Sequence, residues 1–591
     1  MKKIFNIALS ALLGLSLSGC DDFLSLVPLN DVVLENFWTD KADVESVLLG
    51  VYSSLESSDC ITRMGLWGEM RSDNMVAAST ASNDITQILK DNILETNSYT
   101  SWSCFYSAIN RANTVLYYAP GVAEKDPNYT DAELKGHLAE AYTLRALAYF
   151  YLIRAYRDVP YITNPSKDDE EDFVVAATQF DVILDDLIKT LEDISVPGKE
   201  WAVNRFKELG DKTNNSRITR VAVWALLSDM YLWRACKEMP MENKKLGVDE
   251  SVAMEACIAD LDKCIENCEK VIARKVVDYK ELKDKQGADC IVEYYNDIPL
   301  IMEAHGSTTT GTAYNEIFGT GNSFESLFEL VFMPYQSTAN SFVNDYYGSS
   351  SSNGSLSAFS QLITGAKETS GNKYFKKYDS RWLESMEEGS SSTRIVKYVR
   401  SRVSIDVTAM TPQVDYGTRA SNQDANWIIY RLSDVVLMEA EAKVMKARLV
   451  ASDTKDPAAE TLLKEAFDYT DAVYRRAVNI NNNTSAQPLS YTDFSASFTG
   501  AEEMVLLERR RELMFEGKRW FDLVRMCERD GNTKRLVSWV LLKHTENQSA
   551  IRIKLADMDA IYFPISKDEL KINPLLKQNK AYIEDEYISK N

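Results

Sequence analysis

The chain has 591 residues, of which 45% are hydrophobic, so it is long enough to bury a large core. With 88 acidic and 66 basic side chains its formal net charge is −22. Such a field repels nucleic acid and anionic lipid and disfavours strongly anionic polysaccharides, and we therefore expect no nucleic-acid partner.

The first residues have the order of a secretory signal. Lys2 and Lys3 precede an apolar run that ends at Leu17 and is too short for a typical transmembrane helix. Residues 17–20, Leu-Ser-Gly-Cys, resemble the bacterial lipobox, which implies cleavage before Cys20 and lipid attachment to it; the alternative is an ordinary signal peptide with an incidental cysteine. We predict a signal peptide over 1–19, a lipidated Cys20 with a linker over 20–36, and a mature chain that is anchored to a membrane without crossing it.

Most of the mature chain shows helical periodicity. Thr39 or Asp40 can cap a first helix, whose apolar residues recur at helical spacing. Further helices are predicted over 131–156, before Pro160, over 180–194 and over 256–273. Three cysteines share one face of the last of these helices, at positions 257, 264 and 268. A buried stripe explains them better than the alternative of a metal or disulfide cluster.

The helical pattern is interrupted in two places. From 61 to 83 the period fails, and the run from Leu66 to Asn74 mixes an aromatic residue with polar groups as a loop does. From about 288 to 426, loops rich in glycine, serine and threonine separate short runs typical of strands. The clearest of these runs is 324–332, which alternates apolar and polar residues as a half-buried strand does. We predict a loop-rich region there, and a helical scaffold over about 37–287 and 427–591.

The stretch from Glu508 to Arg525, ERRRELMFEGKRWFDLVR, has its charges arranged for a helix. Opposite charges stand three residues apart at Glu508/Arg511, Arg509/Glu512, Glu516/Arg519, Arg519/Asp522 and Asp522/Arg525. Because charge runs are usually solvated faces, we expect exposed pairs that each add about 0.2–0.5 kcal/mol. Gly517, in the middle of the stretch, predicts that the helix stops and starts again.

The same stretch, ER-x-x-EL-x-FEG-x-RWFDL-x-R, resembles the C-terminal signature of the SusD/RagB family, the surface glycan-binding lipoproteins of Bacteroidetes-type bacteria. Other runs resemble family landmarks and follow the family's order over almost the entire mature chain: W-x-x-x-Y-x-x-I-N-R-A-N at 102–113, ESLFE at 325–329, YRLSDVVLMEAEA at 430–442 and NPLLKQN at 573–579. The departures are modest, with Arg157 at a turn where members often have glycine and Leu330-Val331 in place of a commoner polar pair.

The resemblance implies a mainly α protein, with one domain over 37–591. Its fold would be a tetratricopeptide-like superhelix of helix pairs, with the loop and short-strand region packed on it. It also implies an outer-membrane lipoprotein that faces outward, and Asp21 and Asp22 resemble the surface-export signal of such lipoproteins. Such a protein captures an oligosaccharide and delivers it to a TonB-dependent, SusC-like transporter. We expect no catalytic residues, no metal and no cofactor.

The residues themselves leave other functions open. The chain has three histidines and lacks the H-E-x-x-H, G-x-S-x-G, G-x-G-x-x-G and P-loop patterns, so the common metal, nucleophile and phosphate sites lack their signatures. A glycosidase needs two carboxylates around the sugar bond, and no such pair can be singled out. A surface protein that binds peptides or another nutrient, and a scaffold whose only ligand is the transporter, remain as alternatives.

A sugar site needs flat aromatic faces for the C–H side of the ring, with amides and carboxylates at its edge. Aromatic and polar residues in irregular segments are therefore the candidates, although for any one of them packing is a better explanation than ligand contact. The predicted site residues are Trp67, Asp73, Asn74, Trp102, Tyr314, Asn315, Tyr335, Tyr346 and Tyr347.

Overall fold

The computed structural model of the protein describes residues 37–166, 174–195, 216–241, 244–304, 309–333, 339–368, 371–389, 392–406, 409–420, 423–479 and 485–583. The predicted signal peptide, Cys20 and the linker lie outside these residues, and so does Tyr335. No helix within the described ranges is both long and apolar enough to cross a bilayer.

Helices dominate the first half of the chain. They are α1 Lys41–Leu55, α2 Ser58–Glu69, α3 Asn83–Leu89, α4 Ser103–Ala123, α5 Asp131–Tyr156, α6 Phe180–Ser195, α7 Arg220–Glu238 and α8 Glu250–Gln286. Asp40 caps α1 by accepting the backbone N–H groups of Ala42 and Asp43. Helix α5 begins with a capping box formed by Thr130 and Glu133 and has the predicted bounds.

Helices return in the second half of the chain. They are α9 Thr312–Tyr314, α10 Arg381–Ser385, α11 Leu432–Val450, α12 Pro457–Ala477, α13 Tyr491–Phe494, α14 Phe498–Leu513, α15 Arg519–Asp530, α16 Lys534–Val540, α17 Gln548–Leu555 and α18 Lys567–Ile572. The long helices pack side by side in a series, in which α1 contacts α4, α4 contacts α5, α5 contacts α6, α6 contacts α7 and α7 contacts α8. Helix α8 then contacts α11, which packs on both α12 and α14. The protein is mainly α, as predicted.

The strands are short and pair in small antiparallel sheets. They are β1 Met75–Ala77, β2 Val159–Pro160, β3 Ala177–Thr178, β4 Val292–Tyr295, β5 Ile298–Ile301, β6 Thr309–Thr310, β7 Ser326–Leu330, β8 Leu356–Ala358, β9 Met386–Glu388, β10 Thr393–Ile395, β11 Arg402–Asp406, β12 Thr411–Asp415 and β13 Trp427–Arg431. The sheet orders are β1-β8-β10-β9, β12-β11-β6, β13-β7, β2-β3 and β4-β5. The strand predicted within 324–332 is β7, which pairs with β13. It is buried on both faces, and not half-buried as predicted.

The loop predicted over 66–74 is wrong at its start, because 66–69 belong to helix α2, whereas 70–74 form turns outside any helix. Every residue from Cys60 to Glu69 is buried, so apolar and polar side chains face protein on all sides of this helix. A helix without a solvent face shows no apolar stripe in its sequence. The three cysteines at 257, 264 and 268 are fully buried on α8, in the core as predicted. Among the described residues, no group of His, Cys, Asp and Glu side chains is arranged to hold a metal ion.

The charged stretch breaks at Gly517, as predicted. Helix α14 ends at Leu513 and α15 begins at Arg519, and Gly517 between them has φ +71°. The prediction of exposed ion pairs is wrong, because the charged side chains of this stretch are buried. Two predicted pairs do form, Glu508–Arg511 at 3.0 Å and Asp522–Arg525 at 3.0 Å.

The other charges of this stretch find partners far away in the sequence. We call Arg381, Lys397, Arg431, Arg476, Glu512 and Glu516 the central ion cluster. Glu512 accepts from Arg431 at 2.6 Å and Arg381 at 3.0 Å, and it also pairs with Arg476. Glu516 pairs with Lys397 at 2.6 Å and Arg431 at 2.8 Å. Burial opposes ionisation of Glu512, but the arginines around it hold its pKa well below the ordinary value.

Candidate functional site

Three of the predicted site residues, Trp67, Asp73 and Asn74, lie inside the fold. Trp67 has no exposed surface, donates from Nε1 to the carbonyl of Tyr99 at 3.0 Å and stacks on Phe105. Asp73 pairs with Arg510 and Arg519, each at 2.9 Å. Burial would raise the pKa of Asp73, but these two arginines hold it below the ordinary value.

Asn74 belongs to the same buried arrangement. Its Nδ2 donates to Glu69 Oε1 at 2.8 Å, and its Oδ1 accepts from Arg510 Nε at 2.7 Å. Aromatic and polar residues occur together here because buried arginines of α14 and α15 require buried acceptors. Trp67, Asp73 and Asn74 therefore hold the fold and offer no exposed face to a ligand in this structure.

Four further candidates lie in the loop-rich region and form hydrogen bonds within the protein. The Tyr314 hydroxyl lies within hydrogen-bonding distance of two backbone carbonyls, and the Tyr347 hydroxyl donates to the Phe515 carbonyl at 2.9 Å. Asn315 exchanges two hydrogen bonds with the backbone of Val403, at 2.7 and 3.0 Å. Tyr346 is 8% exposed and donates to the hydroxyl of Tyr99 at 3.0 Å. The structure does not bring these four residues together with Trp102.

Trp102 is the predicted residue that lies at an open cleft. The cleft has a volume of about 780 Å³ and is lined by Trp102, Ser103, Tyr106, Ser107, Ile109, Asn110, Asn113, Tyr117, Pro160, Ile162, Asn164, Pro165, Ser166, Val175, Glu569, Ile572, Asn573 and Leu576. A volume of this size is within the range of small-ligand sites, which is about 300–1,000 Å³.

One face of α4 forms the first wall. Trp102, just before the helix, is followed at helical spacing by Tyr106, Asn110, Asn113 and Tyr117. Tyr117 is 51% exposed at one end, whereas Trp102 is 3% exposed and forms a closed floor. This stripe was visible in the sequence as a family landmark, but its spacing alone did not distinguish a ligand-facing stripe from a core stripe.

The other walls come from distant parts of the chain. Asn113 Nδ2 donates to the carbonyls of Ile162 at 3.0 Å and Asn164 at 3.2 Å, which ties the segment after β2 to α4. Asn573 Nδ2 likewise donates to the carbonyl of Val175 at 2.7 Å. These two asparagines position the walls, and sequence reasoning gave no sign that α18 would meet α4.

Glu569 is the one carboxylate among the described residues that line the cleft. Burial raises the pKa of the half-buried Glu569, while a hydrogen bond from the Trp102 side chain acts in the opposite direction. Asn110, on α4, is exposed, and its Oδ1 accepts the backbone N–H of Ser166 at 2.9 Å. The cleft thus combines aromatic and aliphatic surface with amide, hydroxyl and carboxylate groups, which suits a ligand with an apolar face and a polar edge.

Two other carboxyls do meet, away from the cleft. Glu303 and Glu384 are buried and hydrogen-bonded to each other, and burial followed by the charge of Glu384 raises the pKa of Glu303 well above its ordinary value. The cavity beside them measures about 20 Å³. A space of this size holds about one water molecule and no sugar ring.

The sequence is similar to those of known proteins. The sequence model described as "SusD family" matches residues 331–582, and the one described as "Starch-binding associating with outer membrane" matches residues 22–232. Two SusD-like proteins of Formosa agariphila, P38 and P25, are 24% and 23% identical, and each alignment covers 98% of this chain and at least 99% of the relative.

Solved structures show the same fold. A SusD superfamily protein from Bacteroides vulgatus superposes with a TM-score of 0.61 at 17% identity, covering 92% of this chain and all of the other. A SusD superfamily protein from Parabacteroides distasonis has a TM-score of 0.60 at 20% identity, covering 91% and 99%. NanU of B. fragilis has a TM-score of 0.59 at 17% identity, covering 94% and 100%. The two sequence models together account for both the N-terminal helices and the C-terminal half, and the chain belongs to the SusD family.

Proposed function

We propose that this protein is a non-catalytic glycan-binding lipoprotein of the cell surface. It captures an oligosaccharide and delivers it to a TonB-dependent, SusC-like transporter of the outer membrane. Family membership supports the surface nutrient-binding role, and one matching sequence model is described as starch-binding and associated with the outer membrane. The lipid on Cys20 would tether the protein to that membrane.

The observation that carries the glycan proposal is the cleft along α4. Its floor and one end are aromatic, at Trp102 and Tyr117, and serine and asparagine side chains stand between them. Aromatic faces pack against the C–H side of a sugar ring, and amides and hydroxyls bind its hydroxyl groups. A single carboxylate in the described lining does not make the pair that glycoside hydrolysis uses.

The test is a native affinity-gel screen of the soluble form, residues 21–591, against a panel of polysaccharides. The same mixtures are assayed for new reducing ends. We expect retardation by at least one polysaccharide without new reducing ends. Release of reducing ends would contradict the non-catalytic assignment.

The screen also addresses the peptide alternative. A protein that no polysaccharide retards, but that binds a peptide mixture by calorimetry, would be a peptide-binding member of the same transport system. Retardation by a polysaccharide that added peptides do not reverse favours the glycan.

A further inference from the structure

The charge of the cleft bears on which glycans it accepts. The described lining includes no lysine, arginine or histidine, so no basic side chain there faces a bound ligand. Its one ionisable acid, Glu569, is held in place by the hydrogen bond from Trp102. Sites that bind carboxylate, sulfate or phosphate groups ordinarily supply arginine or lysine; here the N-terminus of α4, at Ser103, lines the cleft without such a side chain.

Nearby charges do not compensate for this. Arg145 lies behind the α4 wall, where its Nη1 donates to Asn113 Oδ1 at 2.8 Å. On α18 the exposed Lys571 pairs with the adjacent Asp568 at 2.9 Å, and neither residue lines the cleft. Arg145 therefore acts on the cleft only from behind Asn113, and an anionic group in contact with Glu569 would meet a like charge with no basic side chain of the described lining beside it.

The sequence next to the cleft is also acidic. Ser166 and Val175 both line the cleft, and residues 168–172 between them read Asp-Asp-Glu-Glu-Asp, preceded by a single lysine. The charge of such a run acts at long range and is screened by salt, unlike a direct contact with Glu569.

We propose that the cleft accepts uncharged sugar chains and rejects chains that carry carboxylate or sulfate groups, and that Glu569 is the residue that sets this selectivity. The inference rests on the proposed function of the same cleft and narrows it to a substrate class. A neutral glycan can donate hydroxyl groups to the Glu569 carboxylate, whereas an anionic group cannot.

The test compares two forms of one ligand. The probes are a neutral polysaccharide that the protein retains and the same polysaccharide after oxidation of its primary hydroxyls to carboxylates. Affinities are measured by calorimetry at low and at high salt for the wild type, for Glu569→Gln and for Asp568→Asn. Gln keeps an acceptor for Trp102, and Asp568→Asn removes a neighbouring charge that does not line the cleft.

We expect the wild type to bind the oxidised form roughly tenfold more weakly than the neutral form, with most of the difference remaining at high salt. Glu569→Gln should shrink that ratio about fivefold or more, whereas Asp568→Asn, whose charge acts on Glu569 from outside the lining, should change it less than about twofold. Equal binding of both forms by the wild type, or a ratio that Glu569→Gln does not change, would overturn the inference.

The initial affinity-gel screen distinguishes failure of the proposed glycan binding from failure of the inference about ligand charge. If the protein retains only acidic polysaccharides, the glycan-binding proposal stands and the inference about charge is wrong. If it retains no polysaccharide, the proposed function fails and this inference fails with it.

Discussion

Glu512 is the residue on which the buried charges of the fold converge. Its carboxylate pairs with Arg381, Arg431 and Arg476, which come from three separate segments of the chain. The substitution Glu512→Gln leaves these arginines without their counter-charge in a buried site. We expect a loss of about 3–5 kcal/mol in the free energy of unfolding, measured by urea denaturation.

The matched control is an exposed ion pair of the same chemistry. Lys571 and Asp568 are joined at 2.9 Å on α18 with most of their side-chain surface in solvent. Asp568→Asn should not measurably change the urea midpoint, because salt and water already screen this pair. A Glu512→Gln variant as stable as this control would show that the central ion cluster adds nothing to stability.

Glu69 should make stability depend on pH. Burial raises its pKa from 4.5 to about 7, against hydrogen bonds from Asn74 and from backbone N–H groups. The folded state therefore holds this proton more tightly than the unfolded chain, and the contribution of Glu69 to stability falls as pH rises from 4.5 to about 7. Glu69→Gln removes that dependence.

The measurement is urea denaturation of the wild type and of Glu69→Gln at about pH 5 and about pH 8. Relative to the wild type, the variant should gain up to about 3 kcal/mol of unfolding free energy between the two pH values. A difference between the two proteins that is constant with pH would show that Glu69 does not titrate in this range.

For single residues, the sequence predicted the pattern of charges around Glu512 but not that these side chains are buried. The opposite signs around Glu512 were visible, and two of the i,i+3 pairs formed. Glu512 can be buried because Arg381, Arg431 and Arg476 surround it. These arginines are far from Glu512 in the sequence, so no local pattern predicts the contacts. For the same reason the sequence did not show that Trp67 and Asp73 are buried, each with its own hydrogen-bonding partners inside the fold.

Among the secondary-structure elements, helix α2 and the turn at Gly517 approach each other closely. A Cβ on Gly517 would stand 2.9 Å from the Met64 carbonyl oxygen and 3.1 Å from the Trp427 ring, at φ +71°. A Cβ on Gly68 of α2 would stand 1.8 Å from the Gly517 carbonyl oxygen. Helix α2 can approach the α14–α15 turn only because both residues are glycine.

Gly517→Ala should lower the free energy of unfolding by about 1–3 kcal/mol, because it adds both backbone strain and a clash. Thermal and urea denaturation measure this loss. The control is Gly136→Ala in α5, where a Cβ has no atom within 4 Å; it should raise stability by about 0.5–1 kcal/mol through helix propensity. Equal stability of the two variants would contradict the close packing at Gly517.

The elements that the sequence predicted well carry local signals. The Asp40 cap, the bounds of α5 and the break at Gly517 follow from one or two residues each. Strand β7 was visible through its alternation. Helix α2 was missed because it is buried all round, so that its apolar and polar residues show no period.

For the whole molecule, the lipid predicted on Cys20 would hold the cleft at a membrane surface. Cys20→Ala should move the full-length protein from the membrane fraction to the soluble fraction, because several acyl chains on one residue supply the stable attachment. Ser18→Ala, which keeps a small residue in the preceding sequence, should stay with the membranes. Immunoblots of the separated fractions decide the question, and membrane retention of Cys20→Ala would contradict the lipid anchor.

The cleft is also a property of the whole molecule. Its walls come from residues 102–117, from 160–166 with Val175, and from 569–576, which the fold brings together from distant parts of the chain. Among the predicted site residues that the structure describes, Trp102 is the one that lines it. Tyr117 and Glu569 lay in regular helical patterns, and nothing in the sequence distinguished them from ordinary surface residues.

If this cleft is the glycan site, glycan binding depends on its exposed aromatic end. The measurement is calorimetric titration of the polysaccharide retained in the screen into the wild type, Tyr117→Ala and Tyr294→Ala. Tyr294 on β4 is 40% exposed and does not line the cleft, so it controls for the loss of an exposed tyrosine. We predict that Tyr117→Ala weakens binding roughly tenfold and that Tyr294→Ala binds as the wild type does. Unchanged affinity in Tyr117→Ala would contradict the assignment of this cleft as the glycan site.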